Sequence, residues 1–113
     1  MARKGKGAED RAVNYLETSG HHVVTRNYIC PRGEIDVITF DEDYLVFIEV
    51  KYRRKASYVS PEEAVTREKK ERIVRCARRW LAVNDYKGNT RFDVIAISDD
   101  ELRHYEDAFQ VEN

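Results

Sequence analysis

Gly33-Glu34-Ile35-Asp36-Val37-Ile38-Thr39-Phe40-Asp41-Glu42-Asp43-Tyr44-Leu45-Val46-Phe47-Ile48-Glu49-Val50-Lys51 is a pair of apolar, β-rich runs joined by an acidic turn. Their alternation and the short polar break predict an antiparallel hairpin. A two-residue turn at Glu42-Asp43 pairs Asp41 with Tyr44, Phe40 with Leu45, Ile38 with Phe47, Asp36 with Glu49 and Glu34 with Lys51. A four-residue turn gives the same pairing, whereas an odd-length turn needs a bulge to restore it. In this register the Cβ atoms of Asp36 and Glu49 stand about 4.5–5.5 Å apart, and directly opposed like charges destabilise a sheet unless something positive lies between them. Lys51 follows Glu49 by two residues, on the same side of the pleat and roughly 6.6 Å along the strand. Two carboxylates and an ammonium in an apolar sheet suit a divalent cation beside a phosphate. The competing reading is a sheet edge where the acids merely emerge and Lys51 is their surface partner.

The other face of the hairpin carries Ile35, Val37, Val46, Ile48 and Val50. Apolar residues on both faces predict a central pair covered on both sides, as in α/β proteins, rather than a half-solvated hairpin.

Working outward, Gly7 to Ser19 reads as a helix with Ala8, Ala12, Val13, Tyr15 and Leu16 on one face and Gly20 placed to end it. Glu9 falls on that same apolar face, either as a site residue or as an acid favoured by the first-turn dipole. His22 to Tyr28 reads as an outer strand and Cys30-Pro31-Arg32-Gly33 as a turn. After the basic loop Arg53-Arg54-Lys55, three start signals coincide in Ser60-Pro61-Glu62-Glu63, which predicts a long helix from there. Its apolar stripe is Val65, Ile73, Ala77, Trp80 and Leu81, with Lys69 inside the stripe, and Gly88 is expected to close the helix region. A lysine in such a stripe snorkels outward or points at a phosphate. Arg91 to Ser98 is a further strand and Leu102 to Phe109 a weak last one. The predicted order is α-β-β-β-α-β(-β): an antiparallel meander, then a helical crossover that returns a strand parallel to the sheet.

At 113 residues the chain is read as one domain, with a core over about 5–98 and an acidic extension at 99–113. No stretch approaches the roughly 20 apolar residues that span a bilayer, and a cytoplasmic, membrane-free protein is expected. The two cysteines, Cys30 and Cys76, lie far apart and in no zinc spacing, so reduced thiols are expected. Zinc held by His21-His22 is disfavoured because neighbouring strand residues face opposite ways. His104 reads as an isolated surface residue. The net charge is −1, yet residues 51–79 hold eleven Lys/Arg against four Glu, a local balance of +7 that leaves −8 elsewhere. A basic side next to the carboxylates is a phosphate-binding footprint.

The run Gly33-Glu34-Ile35-Asp36, with twelve residues between Asp36 and Glu49-Val50-Lys51, resembles the core of the PD-(D/E)XK nuclease superfamily, the restriction endonuclease-like fold. The helix carrying Glu9 and the later Lys69 are similar to the archaeal Holliday junction resolvase branch. Gly7-Ala8-Glu9-Asp10, Arg26-Asn27-Tyr28, Pro61-Glu62-Glu63-Ala64-Val65 and Arg91-Phe92-Asp93-Val94 extend the likeness to the YraN family of small bacterial proteins, over about residues 5–98. Two departures are the Ile35 that precedes Asp36, where the superfamily name has Pro, and Val59, where that family suggests Gly.

The resemblance implies an α/β restriction endonuclease-like fold, a central mixed sheet flanked by helices. It implies Asp36 and Glu49 as ligands of Mg²⁺ or Mn²⁺, with the backbone carbonyl of Val50 as a further ligand and Glu9 assisting directly or through water. Hard oxygen donors with retained waters suit Mg²⁺. Lys51 is then the catalytic cation. Its reference pKa of about 10.4 beside two carboxylates favours orienting water and stabilising charge over taking a proton. Arg53, Arg54, Lys55, Lys69, Lys70 and Arg72 are expected to contact nucleic acid. The expected activity is metal-dependent cleavage of DNA, more than RNA, with branched structures as a candidate substrate and a homodimer if two strands are cut. The alternative is a non-catalytic nucleic-acid-binding module of the same fold that needs a partner protein. A third reading, an interaction protein with a structural charged cluster, differs in giving the carboxylates no ligand.

Overall fold

A computed structural model of the chain describes residues 4–54 and 65–110. Helix α1 (Lys4–Thr18) is followed by strands β1 (His22–Cys30), β2 (Gly33–Asp41) and β3 (Tyr44–Tyr52), helix α2 (Arg67–Val83), and strands β4 (Asn89–Ile97) and β5 (Leu102–Tyr105). The five strands form one sheet in the order β1-β2-β3-β4-β5. All neighbours are antiparallel except β3 and β4, which run parallel because α2 intervenes. This is the α/β arrangement expected from the sequence.

The hairpin register is the one that the apolar pattern dictates: Asp41 faces Tyr44, Phe40 Leu45, Ile38 Phe47 and Val37 Ile48. The turn holds Glu42 at φ 54°. Beyond Val37 the ladder stops, so Asp36 and Glu49 are not a regular cross-strand pair. Ile35 joins the cluster under α2 together with Ile38, while Val37 joins the cluster under α1. The alternation therefore slips by one around Asp36, and Ile35 sits on the opposite face from the one predicted. Across the sheet, Asn27 lies between the pairs Arg26–Val37 and Tyr28–Ile35 and has a left-handed φ of 52°. Paired irregularities of this kind re-aim side chains at the rim of a sheet.

The sheet is covered on both sides. Ile73, Cys76, Ala77 and Trp80 of α2 pack on Ile38, Leu45, Phe47, Phe92 and Val94. Ala8, Ala12, Val13 and Leu16 of α1 pack on Val37, Val46, Ile48, Ile95 and Ile97. Leu16, Leu45, Ile38 and Ile48 are completely buried, each contributing on the order of 1.5–3 kcal/mol.

Four local expectations are corrected. Helix α2 starts at Arg67, where Thr66 accepts the Lys69 N–H as N-cap, and Val65 is buried ahead of the helix rather than in its stripe. The predicted start at Ser60, together with Val59 and Lys55, lies outside the described residues. The helix ends at Asn84, followed by Asp85 at φ 50°, so an aspartate takes the left-handed position that Gly88 was expected to supply. The cysteines are not reduced thiols: Cys30 and Cys76 are joined as a disulfide with Cα atoms 5.7 Å apart. Gly33 lies against this approach: a Cβ there would come into van der Waals contact with Arg72 Cβ and Cys76 Sγ at 3.4 Å each. Finally, β5 ends at Tyr105 rather than Phe109, and β1 continues to Cys30. At the end of α1 Gly20 does stop the helix, with φ 102° and the His21 N–H donating to the Leu16 carbonyl at 2.9 Å. Among the described residues no helix is long and apolar enough to cross a membrane.

Candidate functional site

Where the β2–β3 ladder stops, the Val50 N–H has no strand partner and donates instead to Asp36 Oδ2 at 2.8 Å. The carbonyl of a strand residue leaves on the same side as its N–H, which turns the Val50 oxygen toward Asp36 as well. Asp36 is 8% exposed and Glu49 3%, close enough for each charge to act on the other. Burial first, and then the Glu49 charge, pushes the Asp36 carboxyl up to about 7. Asp36 therefore keeps its proton close to neutrality, as burial beside a second carboxylate favours.

A single cation from α2 answers this charge. Lys69 Nζ lies 2.7 Å from Glu49 Oε2. Burial works to lower the lysine pKa, but the contact with Glu49 outweighs it and the net shift is upward. Glu9, from the first half of α1, reaches the same region. Its pKa is raised by burial and by the Asp36 charge, and is held back by a hydrogen bond from Asn27 and by Arg26, 4.0 Å away. The slip in the sheet thus does two things at once: it frees Asp36 from the ladder and places Asn27 against Glu9.

The predicted site residues separate into three groups. Asp36, Glu49, Glu9 and Lys69 converge. Lys51 is half-buried on the same side of β3 as Glu49, although Glu49 takes its ion pair from Lys69 rather than from Lys51. Arg53 and Arg54 are exposed just past β3, the Arg53 N–H extending the ladder to Ile97 at 2.8 Å. Arg72 is exposed and faces Glu68 at 3.6 Å. Lys70 turns to the other flank of α2, its ammonium 5.6 Å over the Phe109 ring. Among the described residues no three His, Cys, Asp or Glu side chains are gathered as a ligand set. Asp36 and Glu49 thus form a two-carboxylate site with Glu9 at one remove.

Sequence reasoning missed Asn27 as the residue that orients Glu9. The signal is faint: Asn is among the residues that most readily adopt a positive φ, but nothing in the surrounding run marks this position as the one that does. It also misjudged His104. That ring is buried, with Nε2 2.7 Å from Asp93 Oδ2 and Nδ1 2.8 Å from the Tyr15 hydroxyl. Asp93, 1% exposed, further accepts from Arg91 and from the Asp107 N–H. Burial would raise its pKa, but these donors outweigh burial and lower it. His21 joins the cluster through the His104 ring, centroids 5.9 Å apart, and through Asp41 at 3.6 Å, while its Nδ1 bonds the Thr39 hydroxyl at 2.8 Å. These side chains are all partnered, and the cluster lies on the β4–β5 side of the sheet, with Asp93 opposite Ile48 and His104 opposite Ile95, so it ties α1, β4 and the chain after β5 together rather than presenting groups to a ligand.

The chain matches the model of the uncharacterised protein family UPF0102 over residues 8–97, from α1 through β4. It is 40% identical over 111 residues to a UPF0102 protein of Sulfurihydrogenibium sp. (strain YO3AOP1), covering 97% of this chain and 96% of that one. Identity is 42% to a UPF0102 protein of Lachnoclostridium phytofermentans, with 94% and 92% covered, and 41% to one of Shewanella loihica, with 94% and 93% covered. Relatives this similar along nearly their whole length, and a family match that includes every converging residue of the site, establish that the chain belongs to the UPF0102 (YraN) family.

Proposed function

We propose that the protein is a metal-dependent DNA endonuclease whose centre is the Asp36–Glu49 pair. The observation that carries this reading is the buried pair itself: Asp36 and Glu49 are almost wholly enclosed where the β2–β3 ladder ends, and the Val50 N–H donates to Asp36 Oδ2 at 2.8 Å. Such a donor set fits a hard divalent cation, with waters completing its shell. When bound, Mg²⁺ or Mn²⁺ lowers the pKa of a water and shields charge on a phosphate. The chain's own residues do the rest. The Val50 N–H fixes Asp36, Glu9 orients water under the control of Asn27, and Lys51 stabilises the charge that grows on the phosphate oxygens. Water oxygen bonds to phosphorus, the bond to the leaving sugar oxygen breaks, and that oxygen takes up a proton. Arg53 and Arg54 hold the flanking phosphates at the open end of β3. Specificity in so small a domain rests on substrate shape, with branched DNA the leading candidate, and cutting two strands requires two copies.

One observation favours a second reading. Lys69 already supplies the carboxylates with a positive charge, which suits a nucleic-acid-binding module that cleaves nothing without a partner protein. Cleavage of labelled four-way-junction, flap, duplex and single-stranded DNA in Mg²⁺ or Mn²⁺ separates the two. The nuclease reading predicts cutting that Glu49→Ala and Lys51→Ala both abolish. DNA that is retarded in a gel yet never cut favours the binding module.

A further inference from the structure

On the flank of α2 away from Glu49, a groove runs between the helix and the segment after β5. Arg67, Lys70, Arg75 and Arg78 line one wall and Asp107 to Gln110 the other. The floor is Phe109, stacked on Phe92 with ring centroids 4.9 Å apart. The acids of the groove are engaged: Glu71 faces Arg67 at 3.6 Å, and the Asp107 carboxylate accepts from Gln110 at 3.0 Å. Arg75 and Arg78 are exposed and, among the described residues, have no such partner. Along this wall the helix sets four cations, Arg67, Lys70, Arg75 and Arg78, against Glu71 alone, an excess of positive charge turned into a concave surface.

We propose that this groove is a second nucleic-acid contact, which tracks the phosphates of a DNA segment flanking the Asp36–Glu49 centre. The inference rests on the nucleic-acid reading above and adds to it a defined surface with Arg75 and Arg78 at its heart. From Arg67 to Arg78 the helix rises about 16 Å, the axial reach of roughly five phosphates on one strand of a duplex. Lys69 on the same helix touches Glu49, so α2 physically couples the groove to the site. Guanidinium forks match phosphate oxygens two at a time, and the Lys70 ammonium is held over the Phe109 ring at the groove's edge.

The test is anisotropy of a labelled DNA duplex in EDTA across about 50–200 mM salt, the range over which phosphate contacts change affinity steeply. For Arg75→Ala/Arg78→Ala, the slope of log K against log salt becomes shallower by about two, one unit per lost phosphate contact. Arg75→Lys/Arg78→Lys retains most of the slope, and Lys87→Ala, a distant exposed cation paired with Asp85, leaves it unchanged. A double-alanine variant with the wild-type slope overturns the groove while leaving DNA binding intact. Polyglutamate that displaces DNA as well as unlabelled DNA does overturns nucleic acid as the occupant. Wild-type protein that binds no DNA at any salt overturns both the groove and the reading beneath it.

Discussion

Asp36 occupies a position that a carboxylate would not choose for stability. It is buried beside Glu49, and the Val50 N–H donates to it at 2.8 Å. Because its folded-state pKa of about 7 lies above the ordinary 3.8, the folded chain holds this proton more tightly than the unfolded chain does. Stability is therefore greatest below the unfolded pKa and falls as pH rises through the interval to about 7. Glu9, also raised, works in the same direction. Urea unfolding of metal-free protein at about pH 5 and pH 8 checks this, with an expected loss on the order of 1–3 kcal/mol for wild type and a much smaller loss for Asp36→Asn. Equal losses in the two proteins would show that Asp36 is not the strained group. His21, with its pKa lowered by burial, acts oppositely at acid pH, and the comparison between variants cancels its contribution.

Among the elements, α2 and the two strands of the hairpin carry the site, and they were legible to different depths. The β2–β3 register followed from sequence because a slip of one residue would exchange every buried side chain for an exposed one. The parallel return of β4 followed from the helix that separates it from β3. The interruption at Asp36 was not legible, since it depends on Asn27 of a different strand adopting φ 52° opposite it. The partner of Glu49 was misassigned for a similar reason: Lys51 is near in sequence, but Lys69 is the cation that the packing of α2 delivers. Cys30 and Cys76, separated by 46 residues, gave no spacing signal, and only the packing of α2 on the β1–β2 turn brings them together. The bridge fixes the helix that delivers Lys69, and its removal should be felt well beyond the two sulfurs. A loop of this length corresponds to about 4 kcal/mol in the chain-entropy description. Cys76→Ser, or wild type in reductant, should unfold at a markedly lower denaturant midpoint. Unchanged midpoints with and without reductant, or two free thiols titrating in unfolded unreduced protein, would contradict the tether.

At the scale of the whole molecule, charge is divided as the composition foretold. The chain is nearly neutral, at −1, yet α2 carries Arg67, Lys70, Arg75, Arg78 and Arg79 against only Glu68 and Glu71. The buried carboxylates of the sheet meet this basic helix at one point, where Lys69 Nζ lies 2.7 Å from Glu49 Oε2. All of this turns on whether Asp36 and Glu49 take a cation. Calorimetric titration of Mn²⁺ into metal-free protein addresses that point directly. The account predicts saturable binding at one site per chain that is lost in both Asp36→Asn and Glu49→Gln and retained in Arg53→Ala; no binding by wild type, or binding that survives both carboxylate substitutions, would contradict it.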